Sequence, residues 1–529
     1  MSLTAGSGGE RVTILGSSLF GGGSEAASVL FGNLPAVVIQ NGNSSRLIVR
    51  APSRDEGAHE VAVTIVSDNG VQIKKTKAWT FSELQSVTPS YGQGGTRVVL
   101  RGVALTGGDS SVYRVYFSNV AAEQAMKVNN TMLVCIVRSN SVISDTIGTV
   151  VIEMPNGQRV RLEDAFTYRP PGDVTFVEPP KGQGGSLVTV SGRQLFGYGT
   201  RLVSTSLAGI PATVVRENLT EVVLRATSSE YGLVGDIVLT ADTGAIVREV
   251  DGFEYVFPGQ LETLVPNSGQ TGTVVELGGS NLLSGSLGEP EVLFGNHRSR
   301  VLTFSDALIT VELGDSLESG ETNVRIVSEA NATIQGGNFE ILLKGDMDSA
   351  LPSSGQYGTR VNVSGTGLLL GGTRINVTVG GAKAEVTGFS DTHVLFVVPS
   401  GLAAGPTVIA VQADTGANIG VTGIFSILSA GNITTLLPPT GHPGTYVEIR
   451  GVGLLGGGNT IVSVHIGPEA AMILNSSNER VYIRVQNSGV GIEDVLLTSD
   501  TGALVKFRSG FERLPSAAVH EIYPSSGKS

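Results

Sequence analysis

The sequence predicts an all-β chain built of tandem β-sandwiches. Three observations predict it: short β-branched runs bounded by turn residues, many glycines in an otherwise apolar chain, and a motif that returns at a constant interval. The runs include Val98-Val99-Leu100, Leu133-Val134-Cys135-Ile136-Val137 and Val394-Leu395-Phe396-Val397-Val398, each flanked by Gly, Pro, Asn or Asp. Glycine contributes 72 residues and proline 21, yet hydrophobic residues reach 40 % and charged residues only 16 %. Such a chain is too apolar for disorder, so its glycines belong at turns between packed strands. No segment has the periodicity of an amphipathic helix.

The repeat sets the domain plan. The glycine of a Pro-x-x-Gly-x-x-Gly turn recurs at Gly92, Gly182, Gly269, Gly355, Gly441 and Gly527, with Gly6 in the equivalent place, at spacings of 86, 90, 87, 86, 86 and 86 residues. Each turn leads into a strand and a glycine, as in Val12-Thr13-Ile14-Leu15-Gly16 and Val447-Glu448-Ile449-Arg450-Gly451. A glycine bend follows, as at Gly21-Gly22-Gly23 and Gly456-Gly457-Gly458, and then a strand of the type Val29-Leu30-Phe31-Gly32. Asp68-Asn69-Gly70, Asp242-Thr243-Gly244, Asp414-Thr415-Gly416 and Asp500-Thr501-Gly502 separate two strand-like runs, a hairpin signal. Pro155-Asn156-Gly157 and Ala330-Asn331-Ala332 are expected to fill that place in the remaining units, and Phe81, Phe166, Phe253, Phe339, Phe425 and Phe511 to close each unit. About seven strands in such a unit pack most economically as two antiparallel sheets.

This ordered set of turn, glycine-ended strand, hairpin and closing phenylalanine resembles the IPT/TIG family of immunoglobulin-like domains along the whole chain. The expected repeats are 1–82, 83–171, 172–258, 259–343, 344–428 and 429–515, with 516–529 an opening strand of a further repeat or a donor strand. The links between them are short, and six domains of roughly 30 Å in file would make a rod of about 180 Å. Within the family, single copies beside basic domains bind nucleic acid, whereas long tandem arrays resemble surface receptors, adhesins and stalks. A net charge of −12 with no basic stripe argues against a nucleic-acid partner.

Candidate chemistry is sparse. Asp-Thr-Gly at 242, 414 and 500 matches the loop of aspartic proteases, but all three copies occupy one hairpin position in separate units, so turns are expected. His59, His297, His393, His442, His465 and His520 lack metal-ligand spacing, and the glycine bends lack the Lys-Ser/Thr of a phosphate loop. Asp109, Asp145, Asp306, Asp315, Asp346 and Asp348 lack the alternation of a calcium loop. Cys135, the one cysteine, reads as a core thiol, and Trp79 as the one aromatic worth probing for a carbohydrate. The expectation is a protein with no catalytic residues, metal or cofactor, and no membrane span in this segment.

Asn-x-Ser/Thr occurs at Asn43, Asn129, Asn218, Asn331, Asn362, Asn376, Asn432 and Asn475. The first three lie 37, 37 and 36 residues after their turn glycines, and Asn475 lies 34 after its own. A shared exposed loop suits N-linked glycans and an extracellular or cell-surface location. The expected function is a structural or adhesive array, a stalk, surface fibre or filament. The alternative is the ligand-binding ectodomain of an adhesion or recognition receptor, and a third class is an accessory region of a polysaccharide-active enzyme.

The ends are out of phase. Later units begin with a strand such as Leu84-Gln85-Ser86-Val87-Thr88-Pro89, whereas the first has only Met1-Ser2-Leu3 before Thr4, and residues 519–527 repeat that strand and turn. Two partners are expected to compete: neighbouring repeats of a longer chain, or a second copy receiving Val519, Ile522, Tyr523 and Pro524 as a donated strand.

Overall fold

Alternation of apolar and polar residues makes the strands. In Arg97–Val103 the side chains of Val98 and Leu100 point inward while Arg97 and Arg101 face solvent, the period of two that a half-buried strand requires. The structure is a computed structural model describing residues 4–54, 57–107, 114–154, 157–315, 317–486, 489–515, 517–523 and 526–527; all its regular elements are β-strands. Two compact units divide it. One covers Met1–Pro258 with the short pieces Ser284–Leu287 and Ala330–Ala332, and the other takes the remainder through Ser529.

Repeat two of the first unit shows the plan. One sheet orders Gln124–Asn129, Met132–Ile136, Arg97–Val103 and Glu83–Thr88; the other orders Val120–Ala121, Arg114–Phe117, Thr146–Glu153, Arg159–Tyr168 and Tyr91–Gly92. The opening strand therefore serves both sheets. Glu83–Thr88 runs antiparallel to Arg97–Val103, the chain passes the cis peptide at Pro89, and Tyr91–Gly92 then runs parallel to the end of Arg159–Tyr168. Cis prolines stand at the same place as Pro179, Pro266, Pro352 and Pro438. The segments 172–258 and 429–515 repeat the two-sheet order. In 259–343 and 344–428 one long strand, His297–Phe304 or Ala382–Phe389, belongs to both sheets and joins eight strands.

Gly102 explains the glycine that ends each first long strand. A Cβ there would stand 2.1 Å from the carbonyl oxygen of Glu83, and the same carbonyl approach from the opening strand occurs at Gly192, Gly279, Gly365 and Gly451. Only glycine admits that approach.

The first repeat differs. Among the described residues its seven strands end with Arg11–Leu15 at an unpaired edge, and no backbone lies against Gly16, whose hypothetical Cβ meets only the Leu19 side chain.

Each segment encloses its own hydrophobic cluster, centred on residues such as Phe31, Phe117, Phe253, Phe294, Phe396 and Phe511. Burying one such ring is worth about 1.5–3 kcal/mol. Cys135 lies in the second cluster, where burial pushes its thiol up to about 12. Phe166 meets Phe117 edge-on at 4.9 Å and Tyr168 at 5.3 Å.

Two sequence expectations need correction. Gly6 pairs with Phe81 as Gly92 pairs with Tyr168, so the counterpart of Phe166 in the first repeat is Trp79 and not Phe81. A left-handed residue two positions earlier, Lys77, Asp164, Asp251 or Ser509, marks the same bulge before each ring. Trp79 is thus a buried core residue, edge-on to Phe31 at 5.3 Å, and not an exposed aromatic. The hairpin of the fourth repeat is likewise Glu329-Ala330-Asn331, one residue earlier than expected, because Asn331 at φ 67° takes the place of the turn glycine.

Candidate functional site at the joints between repeats

The Asp-Thr-Gly hairpins are tied to their own sandwiches through aspartate. Asp242 accepts a hydrogen bond at 3.0 Å from the amide of Thr200 in the glycine bend, and another from that residue's hydroxyl. Asp414 accepts from the Thr373 amide at 2.9 Å and hydroxyl at 2.8 Å, and Asp500 from the Asn459 amide at 3.0 Å. The hydroxyl bonds hold the Asp242 and Asp414 carboxyls below the usual carboxylate range, as Ser24 does for Asp68. These carboxylates fasten a turn to a bend.

The other two residues of the hairpin face the preceding repeat. Within the first unit the Arg97 amide donates to the Thr243 carbonyl at 2.7 Å, and the Ile246 amide to the Gly94 carbonyl at 3.2 Å. Gly95 and Gly244 sit face to face: a Cβ on either would lie within 3 Å of the other's carbonyl oxygen. Gln93, just after the turn glycine, completes the joint. Its Nε2 donates to the Ile246 carbonyl at 2.7 Å, and its Oε1 accepts from the Gly172 amide in the link at 2.6 Å. Arg169 of the same link stacks between Tyr91 and Tyr198, 4.8 and 5.2 Å from their ring centres.

The second unit repeats the device. Val274 donates to Thr415 at 2.7 Å and Arg360 to Thr501 at 2.8 Å, while Gln270 Oε1 accepts from Gly345 at 2.6 Å. Gln356 bonds the Leu504 carbonyl at 3.3 Å and the Gly431 amide. Gln93 and Gln356, buried with both amide ends engaged, fix orientation as well as contact, since losing either partner strands a desolvated polar atom. Gln270 is held through Oε1 alone, and its buried Nε2 has no partner among the described residues.

The joint between the first two repeats is built differently. Ser7 stands at the glutamine position and donates to the Arg159 carbonyl at 2.9 Å, and Glu10 stands where Thr96 lies in the next repeat. Burial raises the Glu10 carboxyl to about 7. Arg54 adds an ion pair to Glu83 at 2.8 Å.

An open polar cleft of about 630 Å³ lies at the joint of the fifth and sixth repeats. Tyr357, Arg360, Lys383, Glu385 and Asp500 line it.

The glycosylation candidates separate. Asn43, Asn129 and Asn218 stand exposed where equivalent strands give way to a turn, each side-chain oxygen accepting from the amide and hydroxyl of the residue two positions on, at 2.7–3.0 Å. The Asn-x-Ser/Thr triplet is thus also the chemistry of the turn. Asn331, Asn376, Asn432 and Asn475 are exposed as well. Asn475 lies within a strand, two residues before Ser477, which holds the Asn218 place. Asn362 differs from the others: it is half-buried in the paired strand Arg360–Thr366 with its Oδ1 shut off from solvent.

Val519, Ile522 and Tyr523 are exposed and outside any strand, while Pro524, Asp109, Pro155 and Asn156 lie outside the described residues. Asp145 pairs with Arg169 at 3.5 Å, and Asp306 accepts from the Leu283 amide at 3.0 Å. Among the described residues no group of three or more His, Cys, Asp or Glu could hold a metal, and no helix is long and apolar enough to cross a membrane. The joints were missed in the sequence because their partners lie about 150 residues apart. The signal was present: glutamine follows the turn glycine at 93, 183, 270 and 356.

Comparison with solved structures gives low overall similarity. The plexin A4 full extracellular region aligns at 14 % identity and TM-score 0.33 over 95 % of this chain, which spans 55 % of the plexin chain. A Bacteroides ovatus protein of a mixed-linkage glucan utilization locus, solved with a mixed-linkage heptasaccharide, aligns at 14 % identity and TM-score 0.16 over 47 % of this chain and 65 % of its own. A surface glycan-binding protein from Prevotella bryantii aligns at 18 % identity and TM-score 0.16 over 43 % of this chain and 50 % of its own. No curated protein sequence gives a significant match. The family model described as IPT/TIG domain matches residues 2–77, 82–168, 260–341 and 347–425, more than half of the sequence. With the same turn, bend and hairpin recurring in each sandwich, the chain belongs to the IPT/TIG domain family.

Proposed function

We propose that this chain is an extracellular or cell-surface structural array in which all six segments are TIG domains and the work is to hold a defined spacing. The observation that supports this reading most is the recurring joint, in which a hairpin of one repeat bonds the first long strand of the repeat before it. Flexible linkers leave neighbouring domains free, whereas backbone bonds plus a two-ended glutamine fix them. Exposed Asn43, Asn129 and Asn218 support the extracellular part of the proposal. No catalytic role is included. Native-state hydrogen exchange tests the reading. The amides of Arg97, Val274 and Arg360 should be protected like core strand amides; exchange at loop rates there would make the chain a string of independent domains and remove the spacer role.

A second reading, a ligand-binding ectodomain, is favoured by the cleft holding Arg360 and Lys383. Saturable ligand binding lost on Lys383→Ala, with joint protection unchanged, would add that role.

A further inference from the structure

The cleft of about 630 Å³ between the fifth and sixth repeats is not a by-product of the joint, because the joint before it fills the same places with other chemistry. There Thr271 and Val274 stand where Tyr357 and Arg360 stand here. Arg300 faces Glu312 across paired strands and forms an ion pair with it, and Arg298 pairs with Glu291 at 2.6 Å. The corresponding strand of the fifth repeat sets Glu385 opposite Val397, with Lys383 in the place of Arg298. Asn376 precedes Val377 as Glu291 precedes Val292, so the second carboxylate is missing too. Among the described residues Arg360, Lys383 and Glu385 make no ion pair. Charges that the fourth repeat spends on itself are left facing the cleft in the fifth.

Two of the lining groups are held in place by the sixth repeat. The Arg360 amide donates to the Thr501 carbonyl at 2.8 Å, and its side-chain stem lies over Gly502, where a Cβ would stand 3.2 Å from Cγ and 3.5 Å from Cδ. The Leu504 amide donates to the Tyr357 carbonyl at 2.9 Å, fixing the backbone that carries a ring 48 % exposed. Groups fixed before a ligand arrives lower the ordering cost of binding it. Asp500 is already engaged by the Asn459 amide, which leaves Glu385 as the carboxylate with unspent acceptors.

These groups define the ligand. One guanidinium and one ammonium against one unspent carboxylate make a locally positive site on a chain of net charge −12. The planar fork of arginine matches a carboxylate. Glu385 only accepts hydrogen bonds, so it disfavours a second anion nearby and suits hydroxyl donors, while Ser400 and Thr498 add hydroxyls of their own. Tyr357 supplies an apolar face with a polar tip. One carboxylate, several hydroxyls and a ring with an apolar face are together the chemistry of a uronic acid. The volume lies within the range of about 300–1,000 Å³ that small-ligand clefts occupy, and the open sides let a longer chain run out.

We propose that this cleft binds a uronic-acid stretch of an acidic polysaccharide, with the carboxylate on Arg360 and Lys383, a sugar face on Tyr357 and sugar hydroxyls on Glu385. The proposal rests on the ligand-binding reading given above and names its ligand class. Because both repeats line the cleft, an occupant also stabilises the joint.

Calorimetric titration of the full chain with trimers of galacturonic acid and of glucuronic acid tests it. At least one should bind saturably, and Lys383→Ala and Arg360→Ala should each weaken it by about tenfold, as the loss of one charged hydrogen bond does. A neutral galactose trimer should bind about tenfold more weakly than the acidic one, by the same loss. The bound trimer should also slow exchange of the Leu504 amide, whose bond spans the joint. Lys383 is exposed, so Lys383→Ala should melt as the parent does, and binding lost there is not folding lost. No saturable binding of either acidic trimer, or undiminished affinity in Lys383→Ala, overturns the proposal. Equal affinity for the neutral trimer or for a triglutamate peptide, lost in Lys383→Ala, also overturns it while leaving the ligand-binding reading in place.

Discussion

The amide of Arg97 donates to the carbonyl of Thr243 at 2.7 Å, so a turn that resembles a protease loop is the surface by which one sandwich grips its predecessor. Asp242 holds the turn to its own domain while Thr243 and Gly244 are offered outward, and this division of labour within three residues underlies the first prediction.

Gln93→Ala and Gln356→Ala should loosen their joints without unfolding either neighbour. Each glutamine hydrogen bond is worth about 1 kcal/mol, so exchange of the Gly172 or Gly431 amide should quicken by about fivefold while core amides hold their rates. Hydrogen exchange with residue resolution checks this.

Trp79→Ala should destabilise the first repeat by about 3–5 kcal/mol, as Phe166→Ala should the second, because each empties the same core position. Trp79→Phe, restoring the residue found at that place in the second repeat, should recover most of the loss. Denaturant unfolding followed by circular dichroism distinguishes the two substitutions.

Glu10 gives the first joint a pH response. Burial raises its carboxyl from the ordinary 4.5 to about 7, so between those values the folded chain binds a proton that the unfolded chain has released. Stability from this group is fully present below about pH 4.5, falls as pH rises, and levels off above about pH 7. Glu10→Thr, the residue of the second repeat, should flatten that slope. Thermal unfolding between pH 4.5 and 8, followed through the single tryptophan, measures it.

Asn43, Asn129 and Asn218 should carry glycans in protein from its native source, and Asn362 should not. Intact-peptide mass spectrometry reads each site. Modified Asn362 would mean that the strand Arg360–Thr366 opens before or during modification.

The period, the sheet class and the turn chemistry were legible because they are local: the glycine spacing and the alternation in Arg97–Val103 need no partner to be seen. Register across the sheet was less so. Matching Phe81 to Phe166 follows from ring identity, but a closing strand is aligned by its parallel pairing with the turn glycine, which puts Trp79 in that place. The joints were illegible for the same reason at longer range, since Gln93 and Ile246 meet only once a whole domain lies between them. That Asn362 lies half-buried in a paired strand was likewise illegible, because the Asn-x-Ser/Thr triplet carries no information about which strand face it occupies.

The parallel pair between Tyr91–Gly92 and the end of Arg159–Tyr168 bears on load. These strands lie close to the two points where the second domain joins its neighbours in the chain, so tension applied through those points drives them in opposite directions along their common axis. Their bonds must then rupture together in shear, whereas an antiparallel terminal pair would peel open one bond at a time. Each domain with this pair is thereby latched against pulling by a strand of only two residues.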